Sequence, residues 1–249
     1  MNMGNKGGTG HLKRLPAPGF WPIHRKEFVW APKPSPGAHK TSSCLPLELV
    51  LRDELGQAKT RREVAAILAS GKVRVDGRVR QDKNFPVGIM DVVELIDANI
   101  AYRILPVEGR GLSPVRIPKD EAKFKLCKIL RKNTEAKGLV QFGMHDGRNL
   151  TAPPTDAEAS GYSTNDTLRL SVPTQRVLGH IKFEKGNSAL VVAGRNLGKA
   201  GKIVELQSGT ATRPAMVTIE GSSGSRIDTI VDYTFVVGTD KPTIKLEAS

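Results

Sequence analysis

Between residues 60 and 95 the apolar and polar positions follow two successive rhythms. Thr60 followed by Glu63 makes a capping-box pair, and Val64, Ile67 and Leu68 come after it at helical spacing. That predicts a helix which starts at Thr60, buries one face and ends at Ser70 and Gly71. The rhythm then becomes alternation: Val73, Val75 and Val79 interleave with Lys72, Arg74, Arg78 and Arg80 around Asp76 and Gly77. This dipeptide suits a tight primed turn, so the segment predicts a hairpin with one valine face and one cationic face. Residues 84–88 turn the chain, and residues 89–95 read as a further strand that covers the valines.

Upstream, Leu47, Val50, Leu51 and Leu55 share one face of a second predicted helix over residues 45–55, with Pro46 acceptable at its start. Two helices and a hairpin then form one small unit. It presents Arg61, Arg62, Lys72, Arg74, Arg78 and Arg80 together, with Lys83 just beyond them. From Tyr102 onward Pro106, Gly109, Gly111, Pro114 and Pro118 break the chain. Phe124, Leu126 and Ile129, within KDEAKFKLCKILRK, fit a short helix opened by Pro118 that runs into a strand, with an ambiguous period. QFGMHDGRNL and NDTLRLSV read as later strands of a β-rich middle region, and residues 151–164 as an exposed loop. Residues 188–192 and 202–206 are β-type runs joined by a glycine-rich loop, with Arg195, Asn196 and Lys199 at its tip. Val217, Ile219, Ile227 and Phe235 would supply the other strands of a small barrel.

Charge narrows the function. The 249 residues carry 38 Lys and Arg against 25 Asp and Glu, a formal net charge of +13, which favours a polyanionic partner. Aromatic residues are only 5% of the chain, so phosphate contact and shape should outweigh base stacking. In residues 1–42 Gly, Pro and cations crowd out any period, which predicts a basic arm that orders on a partner. His11, Lys13, Arg14, His24, Arg25, Lys26, Lys33, His39 and Lys40 are its candidate phosphate contacts. Trp21 and Trp30 should each dock, on the protein's own surface in preference to RNA. No apolar run approaches the roughly 20 residues of a membrane helix, and Lys6, Lys13 and Arg14 precede no signal core. A soluble, unexported protein is expected. Cys44 and Cys127 lack the paired spacing of a zinc site and read as two buried thiols.

A capped helix, a Gly break, V-x-V-D-G-x-V and a later P-x-G-x-x-D-V strand together resemble the RNA-binding module named after ribosomal protein S-four. HLKRLPAP, FWPI, WAPKPSPGAHK and CLPLELVLRDEL resemble the opening of the S-four-e family, small-subunit ribosomal proteins of eukaryotes and archaea; Ala38 replaces the usual proline. EAKFKLCKI, HDGR and NDT continue that likeness, and residues 179–206 resemble a KOW motif. The resemblance implies a multi-domain α+β fold: a basic arm (1–42), an S-four-type module (43–105), a family-specific β-rich centre (106–176) and a KOW-type barrel (177–249). It also implies a structural constituent of the small ribosomal subunit that binds rRNA and neighbouring ribosomal proteins, without cofactor, metal, membrane or homo-oligomer. Ribosomes in the cytoplasm are the expected location, with nucleolar assembly in a nucleated cell. Family members commonly continue into a basic tail beyond the position of Ser249.

Catalytic readings are weaker. GRNLGKAG has three residues between Gly194 and Gly198 where a phosphate loop needs four, and Ala200 cannot ligate magnesium. His145 and Asp146 would point to opposite faces of a strand, Asp146 and Gly147 read as a turn, and no second His/Asp/Glu cluster is evident to complete a metal or acid–base site. Because S-four-type modules also occur in pseudouridine synthases, an RNA-modifying enzyme is an alternative, with Asp228 in Arg-Ile-Asp-Thr as its catalytic aspartate. Too little chain surrounds Asp228 for an enzyme domain, and an edge strand is the preferred reading. A free RNA-binding regulator or chaperone is the other alternative.

Overall fold

In the computed structural model of the chain, which describes residues 9–153, 156–210, 212–221 and 224–246, the arm is the first departure from the sequence expectation. β1 (Leu12–Lys13) pairs antiparallel with β2 (Trp30–Ala31). Between them Trp21 is 3% exposed, donates its Nε1–H to the Cys44 carbonyl at 2.9 Å, and shares one core with Leu45, Leu47 and Leu51. The arm has too few apolar residues to fold alone, yet Ala17, Trp21 and Ala31 borrow a core that already exists. Hence its described part, from residue 9 onward, docks on the protein's own core. Trp30, by contrast, does not dock and stays half exposed. Lys6 and Ser249 lie outside the described residues.

The module begins with β3 (Cys44–Pro46). α1 (Leu47–Leu49) follows and widens into a π-helical turn over Val50–Glu54, so the predicted helix starts late and is irregular. Leu47, Leu49, Val50 and Leu51 are all fully buried, which is why packing overrides regular helical pitch here. α2 (Arg61–Ala69) is capped as its sequence predicts: the Thr60 hydroxyl accepts from the Glu63 N–H, while the Glu63 carboxylate reaches the Lys59 N–H at 2.8 Å. β4 (Val73–Val75) and β5 (Arg78–Val79) flank Asp76 and Gly77, whose φ of 50° and 70° make the primed turn. Val73 and Val75 face the core, but Val79 is 47% exposed, so the valine face has two members.

β6 (Pro86–Gly88) returns to pair with β3, and β7 (Val92–Leu95) starts only after Met90, whose φ of 68° breaks the predicted strand. β8 (Ile100–Val107) and β9 (Gly111–Ile117) complete a five-stranded sheet in the order β5-β4-β7-β8-β9. That sheet runs on past residue 105, because β8 and β9 pair along their whole length. α3 (Lys119–Ala122) leads into the long β10 (Phe124–Thr134), followed by β11 (Val140–Met144), β12 (Asn149–Ala152), α4 (Ala157–Ser160), β13 (Thr167–Ser171) and β14 (Val177–Ile181). Their sheet order is β12-β11-β10-β13-β14, so β14 joins the central sheet although it lies beyond residue 176. Residues 151–164 are not wholly exposed: Ala152, Ala159 and Tyr162 are buried, with Tyr162 edge-on to Phe142 at 5.5 Å.

The last sheet holds β15 (Ser188–Val191), β16 (Ala200–Gln207), β17 (Met216–Gly221), β18 (Arg226–Ile230) and β19 (Thr234–Gly238), in the order β18-β17-β16-β15-β19. Ala189, Val191, Ile203, Val217, Ile219 and Val236 form its core. Gly198 (φ 88°) lets the β15–β16 loop settle on the tip of the β8–β9 hairpin, where any Cβ would collide with the Val107 and Glu108 backbone. Among the described residues the longest α-helix is α2, with nine residues. The architecture is therefore antiparallel and β-rich, with less helix than an even α+β division implies. No helix among the described residues is long and apolar enough to cross a membrane.

Candidate nucleic-acid interface

The cationic hairpin β4–β5 is anchored from behind by a buried charge cluster. Lys125, on β10 of the central sheet, places its Nζ 2.9 Å from Asp76 Oδ2 and 2.9 Å from Asp146 Oδ2, and also pairs with Asp91. Arg148 adds bonds to Asp76 Oδ2 at 2.6 Å and Asp146 Oδ2 at 2.9 Å, and His39 lies 3.0 Å from Asp91. Asp76 also accepts the Val92 N–H at 3.0 Å. Thus the residue that shapes the hairpin turn also ties it to the neighbouring sheet. The only signal in the sequence was a lysine between Phe124 and Leu126 inside a strand.

Each charge in the cluster is set by its neighbours. Burial would raise the Asp91 carboxyl, but Lys125 and His39 hold it well below the usual carboxylate range. Asp146 feels the same opposition and sits at about 2, held down chiefly by Lys125. Burial opposes the charge on Lys125, yet Asp91, Asp76 and Asp146 raise it well above its ordinary value. All three carboxylates therefore share the Lys125 ammonium, with Arg148 as a second partner for Asp76 and Asp146 and His39 for Asp91.

The predicted phosphate contacts divide into three groups: exposed, engaged at the surface, and turned inward. Arg62 and Arg78 are exposed and make no ion pair or side-chain hydrogen bond among the described residues, and Arg74 projects from β4 opposite Glu94. Lys13, Lys26, Lys40, His11 and His24 are exposed on the arm. Arg61 pairs with Glu48 at 3.3 Å, Lys72 with Asp97 at 2.6 Å, Arg80 lies over the Phe85 ring at 4.3 Å, and Lys83 is half buried.

Several of the others are turned inward. Arg14 is 8% exposed and donates to the His24 carbonyl at 2.7 Å; Arg25 donates to the carbonyls of Ala17 and Pro18, each at 2.6 Å; Lys33 holds the Thr9 carbonyl. The arm has little regular structure to satisfy its carbonyls, so arginines do it. His39 is spent on Asp91. On the β15–β16 loop Arg195 is exposed, whereas Lys199 turns to Glu108 at 3.8 Å and to Asn196 at 3.5 Å. Sequence reasoning also missed two structural cations. Arg103 binds the Glu121 carbonyl at 2.7 Å, and Lys128 binds the Thr234 carbonyl at 2.8 Å, joining the central and last sheets.

Three family models match successive segments of the chain. The RS4NT (NUC023) domain matches residues 6–42, the S4 domain residues 45–93, and the Ribosomal family S4e residues 98–177. Small ribosomal subunit protein eS4 of Desulfurococcus amylolyticus is 43% identical over 98% of both chains. That of Methanocaldococcus jannaschii is 44% identical over 98% of this chain and all of its own. The chain belongs to the eS4 family. The crystal structure of the 30S ribosomal protein S4e from Thermoplasma acidophilum superposes with a TM-score of 0.66 at 29% identity, over 79% of this chain and 95% of that one. The eS4 family is structural and non-enzymatic, which removes the Asp228 reading. Asp228 lies on β18, at the edge of its sheet, and accepts the Thr218 hydroxyl at 2.7 Å.

In this eS4 chain His145 and Asp146 do meet, contrary to the opposite-face expectation, because they lie in the turn after β11. Ligand atoms of Cys127, His145 and Asp146 come within 4.8 Å of one another, but each is already engaged. His145 Nδ1 accepts the Lys128 N–H at 3.2 Å, and its Nε2 lies 3.1 Å from the Ile89 carbonyl. Burial raises the Cys127 thiol, and Asp146 serves Lys125 and Arg148. This donor set does not fit a cation.

Burial also pushes His145 down to about 4. A histidine lowered in the folded state costs stability as pH falls from its unfolded value of about 6.5 toward 4, because only the unfolded chain takes the proton. Asp91 and Asp146 act below that, their contribution being lost as pH falls from about 3.9 through their lower folded values. The expected result is stability that declines below about pH 6.5 by roughly 2–3 kcal/mol before pH 4 and faster beneath it. Denaturant unfolding across that range measures it; a flat profile from pH 7 to 4 would contradict the burial of a neutral His145.

Proposed function

We infer that this chain grips the phosphate backbone of folded small-subunit rRNA with the outer face of the β4–β5 hairpin and α2, aided by the exposed cations of the arm. As an eS4 family member it is a structural constituent of the small ribosomal subunit, associated with ribosomes in the cytoplasm and with rRNA and ribosomal proteins as partners. The observation that carries the reading is the exposure of Arg74 and of the unpaired Arg78 on the two strands that flank a turn whose Asp76 is bound by Lys125 and Arg148, with Arg62 exposed and unpaired on α2. A fixed hairpin loses little freedom on binding, so its cations can define a register on RNA.

The working division is an arm, a module whose sheet extends through β9, a central sheet that includes β14, and a last unit that we read as a KOW-type small barrel. Arg61, Lys72, Arg80 and Lys83 extend the hairpin surface, and Lys13, Lys26, Lys40 and Arg195 supply further contacts. Arg14, Arg25, Lys33, His39, Asn196 and Lys199 act mainly by shaping the protein. The chain works as a single copy away from membranes, with nucleolar assembly if its cell is nucleated.

Filter binding to rRNA fragments across a salt series tests this reading. With about 6–10 phosphate contacts the affinity should fall by roughly 10³–10⁵ between 50 and 200 mM salt. A slope near zero would remove the backbone mechanism.

A further inference from the structure

The two tryptophans of the arm face opposite ways: Trp21 is 3% exposed and Trp30 is 54% exposed. Trp30 does not hang on a loose tail. Lys13 faces it across the β1–β2 ribbon, and Arg14 grips the carbonyls of His24 at 2.7 Å and Trp30 at 3.3 Å. Arg25 grips the carbonyls of Arg14, Ala17 and Pro18 at 2.8, 2.6 and 2.6 Å. These bonds hold the Trp30 backbone in the free chain, with its ring turned outward. Phe28 and Val29, the two residues before it, are 62% and 61% exposed, so the chain here carries a strip of three exposed apolar residues, with the Arg14 guanidinium 4.9 Å from the Phe28 ring centroid.

Charge indicates what covers it. Lys13 stands directly opposite Trp30 with no partner among the described residues, and the His11 ring meets Trp30 edge-on at 4.8 Å. Glu27, the acid beside the strip in sequence, is taken by Arg14 at 3.3 Å. An aromatic face next to a free ammonium matches a nucleotide: the base covers the ring and the phosphate meets the amine. We propose that Trp30 is a stacking platform for an unpaired RNA base, with Lys13 on the adjoining phosphate. This rests on the rRNA-binding reading above and adds a base contact that backbone binding alone lacks.

Tryptophan fluorescence of the full chain carrying Trp21→Phe reports Trp30 alone. The probes are a short single-stranded oligouridylate and an abasic oligonucleotide of equal length, with binding followed independently by probe anisotropy. Stacking predicts that the oligouridylate quenches Trp30 and the abasic strand binds without quenching. In the chain with native Trp21, Trp30→Ala should weaken oligouridylate binding roughly 5- to 100-fold, with Trp30→Phe recovering most of it and abasic binding unchanged. Oligouridylate binding without quenching overturns the platform while leaving backbone binding in place. Binding of neither probe at low salt overturns both. Shielding of Trp30 from iodide only in assembled subunits, without quenching by RNA, assigns the strip to a neighbouring protein and also overturns the proposal.

Discussion

Lys125→Met is expected to destabilise the folded chain by about 3–5 kcal/mol, since removal of one partner leaves buried charge uncompensated. Lys125 is 1% exposed and is the cation shared by Asp76, Asp91 and Asp146. With it gone, Arg148 can serve Asp76 and Asp146, and Asp91 keeps only His39 and the Gly88 N–H. Methionine fills most of the volume, so the loss is electrostatic and not a cavity. The damage should be local as well as global: amide exchange at Val75, Gly77 and Val92 should speed up more than at Val217 and Ile219, which belong to another core. Denaturant unfolding and hydrogen exchange measure the two effects. A midpoint within error of the parent would show that the three carboxylates do not need this lysine.

Replacing Arg74 and Arg78 together with glutamate is expected to weaken rRNA-fragment binding about 100-fold at low salt and to lower the salt slope by about two, one for each lost phosphate contact. Both side chains are exposed, so the fold should stay within about 0.5 kcal/mol of the parent. A small part of that change comes from Glu94, which faces Arg74 across the ladder and would then meet a like charge. Parallel melting curves and filter binding separate the two readouts. Unchanged affinity in a folded double variant would move the interface away from this hairpin.

What could be read from the sequence was what local interactions decide. The Thr60 and Glu63 cap, the Asp76–Gly77 turn and the break at Gly71 involve residues within a few positions of each other, and each has a side chain or backbone preference that names it. The exposure of Arg62, Arg74 and Arg78 followed from the same local pattern. What was missed depends on distant partners. Residues 45–55 read as one regular helix, but total burial of Leu47, Leu49, Val50 and Leu51 favours the π-helical turn. The arm reads as unfolded because its own apolar surface is small, and only the Cys44 carbonyl and the module core show where Trp21 goes.

Inward cations are the hardest case. Lys125, Lys128, Arg103, Arg14 and Arg25 add to the same net charge as the solvent-exposed ones, and composition cannot distinguish an ammonium bound to three carbonyls from one that is free for a phosphate. His39 and His145 show the same limit: the sequence offers one as a phosphate contact and the other as half of a weak acid–base pair, and only the folded chain brings Asp91 and the Lys128 amide beside them.

Sucrose-gradient sedimentation of a cell lysate, probed for this chain before and after a high-salt wash, is the most direct measurement of its role. A structural constituent that grips rRNA at many points through a fixed hairpin and a docked arm should run with small subunits and stay there through the wash. Recovery of most copies at the top of the gradient, or their release at modest salt, would make the protein a factor that visits RNA and would contradict structural incorporation.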